Sequence, residues 1–124
     1  MKFQPDRADG VNLITRHEPG RVRVGGVEHV GAVVVPWAGA VEDWQVHGWE
    51  ALDAGHFERL LRLRPELVVF GSGARLRFPP PALLRPLIDA RIGVETMDTA
   101  AACRTYNVLA AERRAVVAAL LPAG

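Results

Sequence analysis

Cysteine, serine and lysine occur once each, as Cys103, Ser72 and Lys2. A lone cysteine excludes an internal disulfide framework and any multi-cysteine zinc site, and it fits a reducing compartment. The histidines His17, His29, His47 and His56 show neither HxH nor HxxxH spacing, so neither a metal nor a cofactor is expected. Long apolar runs are missing as well. The most apolar stretch, Val30 to Val41, is interrupted by Pro36 and Gly39 and falls far short of the roughly 20 residues that cross a bilayer. The stretch from Met1 to Gly20 carries Lys2, Asp6, Arg7, Asp9 and Arg16 with no apolar centre, which reads as no signal peptide and is too acidic for a mitochondrial presequence. The expectation is a cytoplasmic protein without membrane insertion. An excess of charge is also lacking: 15 basic against 14 acidic residues leave a net charge of +1, so no overall field attracts nucleic acid or anionic lipid. With no RNA- or DNA-binding motif present, nucleic acid is not an expected partner.

What is present is the composition of a soluble globular domain, 49% hydrophobic and 23% charged over 124 residues. That length is one domain of ordinary size, residues 1–124, able to bury roughly two-thirds of its unfolded surface without a metal or disulfide staple. No repeat, low-complexity tract or linker divides it. The first half reads as antiparallel strands with short turns: Asn12 to Glu18, then Arg21 to Val24 after the turn Pro19-Gly20, then Val27 to Val35 after Gly25-Gly26. The run Gly31 to Val35 predicts a strand buried on both faces that Pro36 ends, and Val41 to Val46 a further strand with Trp44 on one face.

The second half changes period. Asp53 is an N-cap for a helix through Arg64, striped by Phe57, Leu60, Leu61 and Leu63 and stopped by Pro65. Leu67 to Phe70 is a short buried strand. Pro80 or Pro81 opens a helix carried by Leu83, Leu84, Leu87 and Ile88. Gly93 starts a strand through Thr96, and Asp98 or Thr99 caps an alanine-rich helix to about Glu112. Val116 to Leu121 reads as a final strand, with helix continuation as the alternative. Helix and strand alternating in this way imply an α/β fold with parallel pairs joined by right-handed crossovers.

Ligands of open α/β sheets bind at the carboxyl ends of strands, which here are Gly71-Ser72-Gly73 and Met97-Asp98-Thr99. If those strands are neighbours, both loops face one cleft. The next helix then brings Cys103, Arg104 and Asn107 within two turns, and its N-terminus favours an anion. Gly71, Ser72, Gly73, Thr99, Cys103, Arg104 and Asn107 are therefore the candidate ligand-binding residues. No catalytic set is complete. Gly71-Ser72-Gly73 lacks the third glycine of a dinucleotide fingerprint, where Leu76 stands, and no GK[ST] follows it. Ser72 lacks the flanking glycines of a nucleophile elbow. Cys103, inside its helix, reads as buried filler rather than nucleophile. Arg104 reads either as an ion-pair partner of Glu95 or Glu112, or as an anion ligand. Tyr106 reads as core with its hydroxyl satisfied. Asn107 is locally unfavourable in a helix, so its amide is expected to bond something specific. Trp37, Trp44 and Trp49 fall in one stretch of chain and are the candidate interface residues. Arg59, Arg62, Arg75, Arg77 and Arg85 read as a solvated face.

The segment Gly93-Val94-Glu95-Thr96-Met97-Asp98-Thr99, followed by Ala102-Cys103-Arg104-Thr105-Tyr106-Asn107-Val108-Leu109 and then Glu112-Arg113, closely resembles one family. It is the family of small bacterial, archaeal and mitochondrial proteins that includes mitochondrial complex I assembly factor 3 and the adipogenesis-associated domain protein. Its pattern is a G-x-x-V-E-x-M-x-T stretch leading into an A-C-R-T-Y-N-x-L helix. Phe70-Gly71-Ser72-Gly73 matches its strand and G-[TS]-G turn, and Trp44 falls near its recurring tryptophan. One departure is Ala111-Glu112-Arg113-Arg114, which has no glycine after the helix. The resemblance implies a single three-layer ββα domain, with N-terminal antiparallel strands and a mixed sheet covered by helices. It implies no reaction and supplies no catalytic residues. The expected function is a non-enzymatic protein-binding or assembly module with a protein partner. The alternative is a small-anion binder or enzyme using the cleft near Gly71-Ser72-Gly73 and Arg104/Asn107.

Overall fold

The computed structural model describes residues 10–123; the charges at Lys2, Asp6, Arg7 and Asp9 that argue against a signal peptide lie outside the described residues. Strands β1 (Ile14–Glu18), β2 (Arg21–Val24) and β3 (Val27–Val30) form an antiparallel meander. Strands β4 (Val33–Pro36), β5 (Glu42–Asp43), β6 (Leu67–Gly71), β7 (Gly93–Met97) and β8 (Val116–Leu120) form a mixed sheet in the order β5-β4-β8-β6-β7. Helix α2 (Pro81–Asp89) joins the parallel neighbours β6 and β7, and α3 (Thr99–Ala111) leads from β7 to β8. A short α1 (Ala54–Glu58) precedes β6.

The chain runs through three layers because alternate residues of the central strands serve opposite faces. On one face, Val33, Val35, Val69, Val116, Ala118 and Leu120 meet Ala102, Cys103, Tyr106 and Ala110 of α3, together with Ile14, Val22 and Val24 of the small sheet. On the other, Val34, Val68, Phe70, Val117 and Ala119 meet Trp44, Phe57, Leu60 and Leu87. There Trp44, Phe57 and Phe70 pack edge to face with ring centres 5.4–5.9 Å apart, each such pair adding about 0.5–1.5 kcal/mol beyond its burial.

Four expectations are corrected. Val27 to Val35 is not one strand: it breaks at Gly31, whose φ of 87° only glycine adopts freely. β3 and β4 consequently belong to different sheets. Pro36 lies within β4 rather than after it. The strand expected from Val41 to Val46 pairs only at Glu42–Asp43, because Gln45 turns left-handed at φ 53°. The helix capped by Asp53 is α-helical only to Glu58 and continues as a 3-10 helix over Arg59–Leu63. For the last segment, the strand reading holds: β8 is buried throughout, between β4 and β6.

Arg91 and Arg113 occupy the position just past α2 and α3 at φ 61° and 63°. Both helices close as Schellman motifs. Arg91 and Ile92 donate to the Ile88 and Leu87 carbonyls, and Arg113 and Arg114 donate to those of Ala110 and Leu109. Arg113 thus stands where the helix end calls for the missing glycine. The left-handed conformation costs an L-residue about 1–2 kcal/mol, partly offset by glycine's larger unfolded entropy. Arg113→Gly is therefore expected to raise stability by about 0.5–1 kcal/mol at ~0.15 M salt, where the helix-end charge effect is screened; a urea titration measures it.

Candidate functional site

The carboxyl ends of β6, β7 and β8 lie side by side, and the turn after β6 meets the start of α3 there. Asp98 caps α3, its carboxylate accepting from the Ala101 N–H at 2.9 Å. Thr99, next in the chain, is 3% exposed. Its hydroxyl accepts from the Gly73 N–H at 2.9 Å and donates to the Leu121 carbonyl at 2.6 Å, while its own N–H donates to the Gly73 carbonyl at 2.9 Å. One threonine therefore ties together the ends of β6 and β8 and the first turn of α3. Ser72 is fully buried. Its hydroxyl donates to the Arg75 carbonyl at 2.8 Å and accepts from the Arg77 N–H at 3.1 Å. Gly71 has no room for a side chain, since a Cβ there would lie 2.9 Å from both Leu120 Cδ2 and Thr99 Oγ1. Gly73 needs its φ of 107°.

The structure thus brings Gly71, Ser72, Gly73 and Thr99 together, and their polar groups bond to one another and to neighbouring backbone. A nearby crevice lined by His17, Arg21, Thr99, Ala100 and Leu121 offers only about 10 Å³, the lower limit for a single water.

Cys103, Arg104 and Asn107 diverge from α3. Cys103 is 1% exposed in the core beneath the helix, and burial pushes its thiol up to about 11, against a small opposing effect of the Arg104 charge. Arg104 is exposed and takes part in none of the ion pairs among the described residues, so neither Glu95 nor Glu112 holds it. Asn107 faces β1: its amide donates to the Ile14 carbonyl at 2.7 Å and accepts from the Ile14 N–H at 2.8 Å. The side chain serves as the missing neighbour strand for one residue. Tyr106, fully buried, shares its hydroxyl proton between the carbonyls of Asn12 at 2.7 Å and Pro36 at 3.1 Å. Asn12 in turn donates from its amide to the carbonyls of Pro36 and Gly39. Burial drives the Tyr106 phenol far above its ordinary range.

The three tryptophans do not share a surface. Trp44 is 1% exposed, its indole N–H donating to the His56 carbonyl at 3.2 Å. Trp49 is half-buried on the same face, with the Arg77 guanidinium 4.4 Å above its ring. Trp37 is half-buried against the opposite core. A groove of about 240 Å³ runs between Trp49, Glu50, Leu52, Pro80 and Leu83. In the loop leading to Pro80, Leu76 and Phe78 are 51% and 70% exposed. Neither was expected as a surface feature, although the sequence carries the signal, an apolar pair between arginines and three prolines. Among the described residues no three His, Cys, Asp or Glu converge to hold a metal, and no helix is long and apolar enough to cross a membrane.

Residues 14–121 match the family described as a protein of unknown function (DUF498/DUF598). The chain belongs to this family. It is 31% identical over 98% of its length to the NADH dehydrogenase [ubiquinone] 1 alpha subcomplex assembly factor 3 of Xenopus tropicalis, and spans 66% of that protein. An uncharacterised protein of Rhodobacter capsulatus is 34% identical over 91% of this chain and 86% of its own. The solution structure of a Mth938-like domain from Bordetella pertussis superposes with a TM-score of 0.84 at 32% identity, covering 100% of this chain and 94% of that one. The mixed α/β architecture is thus the one this family shares with solved relatives.

The geometry sets four expected outcomes. Asn107→Ala leaves both polar groups of Ile14 without a partner and is expected to cost about 2–3 kcal/mol, with faster amide exchange at Ile14. Gly71→Ala drives a methyl into Thr99 and Leu120 and is expected to cost about 1–3 kcal/mol, read by the melting temperature. Cys103 is expected to label slowly with a thiol reagent in the folded state. Because the fold raises its thiol from 9.0 to about 11, that contribution is complete below pH 9 and declines as pH rises toward 11, when only the unfolded chain has released the proton. Tyr106 adds a decline beginning near its ordinary value of 10.0. Denaturation midpoints of the parent and Cys103→Ala between neutral and alkaline pH separate the two.

Proposed function

We propose that this domain is a non-enzymatic protein-binding module serving the assembly of a larger complex, in a reducing compartment such as the cytoplasm. The observation that carries the reading is the similarity over 98% of the chain to a protein named as an assembly factor. The engagement of polar side chains at the strand ends supports it, because hydroxyls bonded internally offer little to a substrate. The rival is a small-anion binder or enzyme built on Gly71, Ser72, Gly73, Thr99, Cys103, Arg104 and Asn107. It has less support, because the last three side chains face the core, the solvent and β1.

The test is crosslinking and pull-down of the full chain from its native cell, alongside thermal melts with phosphate, sulfate and carboxylates. The expected result is a reproducible membrane-complex or other protein partner and no anion-specific rise in melting temperature. A clean negative pull-down together with anion stabilisation that Arg104→Met abolishes would reverse the assignment.

A further inference from the structure

Arg64, Arg91 and Arg113 share an unusual backbone, with φ of 51°, 61° and 63°. They also share a location. Arg64 ends the 3-10 helix before β6, Arg91 follows α2 before β7, and Arg113 follows α3 before β8. Those three strands are parallel neighbours in the order β8-β6-β7, with Leu67 of β6 level with Gly93 of β7 and Val116 of β8. The arginines stand two or three residues ahead of these positions, one ahead of each strand, with neighbouring strands roughly 5 Å apart. All three are exposed. Among the described residues none forms an ion pair, whereas Arg114 beside them is held by Glu66 at 3.0 Å. Asp89 and Glu112, at the ends of α2 and α3, take part in none of those pairs either.

The helix dipole alone does not account for the row. A cation in the last helical turn meets the same partial charge on unstrained backbone, and glycine takes the left-handed position freely. Three strained positions in line, each filled by the residue best suited to grip carboxylates, mark charge kept at the expense of stability. We propose that this row of arginines at the amino-terminal edge of the parallel strands is a docking edge for an acidic segment of a partner protein. The proposal rests on the protein-binding reading above and names the chemistry of the surface that would serve it.

The experiment is an NMR titration of the labelled full chain with a short polyglutamate peptide at low salt, with polyglutamine as control. The expected result is saturable shifts confined to residues 64–66, 91–93 and 113–115. The triple variant Arg64→Gly/Arg91→Gly/Arg113→Gly should remain folded and bind about tenfold more weakly. The charge-matched triple Arg16→Gln/Arg21→Gln/Arg23→Gln on the small sheet should change affinity less than about twofold. Absence of saturable binding, shifts spread over the whole surface, or equal loss in both triples overturns the proposal. So does stronger binding to anionic lipid vesicles than to the peptide, lost in the glycine triple. Repeating the native pull-down with that triple separates the two readings: a partner recovered by the parent and equally by the triple removes the docking edge and leaves the module reading standing.

Discussion

The small sheet and the large one share one buried cluster around α3, and the side-chain hydrogen bonds that fasten the start of β1 to that helix are made by Tyr106 and Asn107. Asn107 closes a two-bond ring with the backbone of Ile14, while Tyr106 reaches the carbonyls of Asn12 and Pro36. These bonds join segments more than 90 positions apart in the chain, or 70 in the case of Pro36. They set the depth at which β1 lies on α3, which in turn places Val11, Ile14, Val22 and Val24 over the helix. Without a partner for the Ile14 amide and carbonyl, that edge of the meander would face an apolar helix with unsatisfied polar groups. The hydrophobic cover of the small sheet therefore depends on a polar clip.

A second clip closes the opposite end of α3. Thr99 joins the β6 turn to the end of β8, and Gly71 is small because Thr99 and Leu120 occupy the space beside it. In many α/β domains this location is open for a ligand. Here hydroxyls and backbone amides that would greet a ligand bond each other, and a crevice of about 10 Å³ remains beside them. Such packing fits a domain that acts through its outer surfaces.

Much of the architecture was legible from pattern. Asp53 caps its helix as expected, in a capping box completed by His56, and of the two candidates Asp98 and Thr99 it is Asp98 that caps α3. The burial of β8 on both faces was present in the unbroken run Val116 to Leu121, although that run alone is equally good helix; only its position between β4 and β6 decides for strand. The split at Gly31 was harder to see. Valines continue on both sides of it, and the signal for a change of sheet is a single residue's backbone angle. At the candidate site, the Gly71-Ser72-Gly73 turn and Thr99 were expected to meet only if their strands were neighbours, and β6 and β7 are neighbours. The divergence of Cys103, Arg104 and Asn107 was not expected, because helical spacing fixes which residues share a face but not what each face meets. Asn107's poor fit to a helix pointed to a specific bond, and its partner proved to be backbone.

The run from Ala102 to Asn107 that carries the family resemblance can now be divided by physical task. Ala102, Cys103 and Tyr106 fill the core beneath α3, and Asn107 clips β1. Thr105 is half-buried, and only Arg104 faces the solvent. A signature composed in this way specifies a helix seated on a sheet with a strand fastened across it. Membership of the family therefore speaks directly to the fold. Of the left-handed arginines ahead of β6, β7 and β8, Arg64 and Arg91 lie outside the signature and Arg113 at its end, at positions where the fold tolerates a conformation that glycine would relieve. The proposed docking edge therefore draws mostly on residues that the seating of the helix does not need.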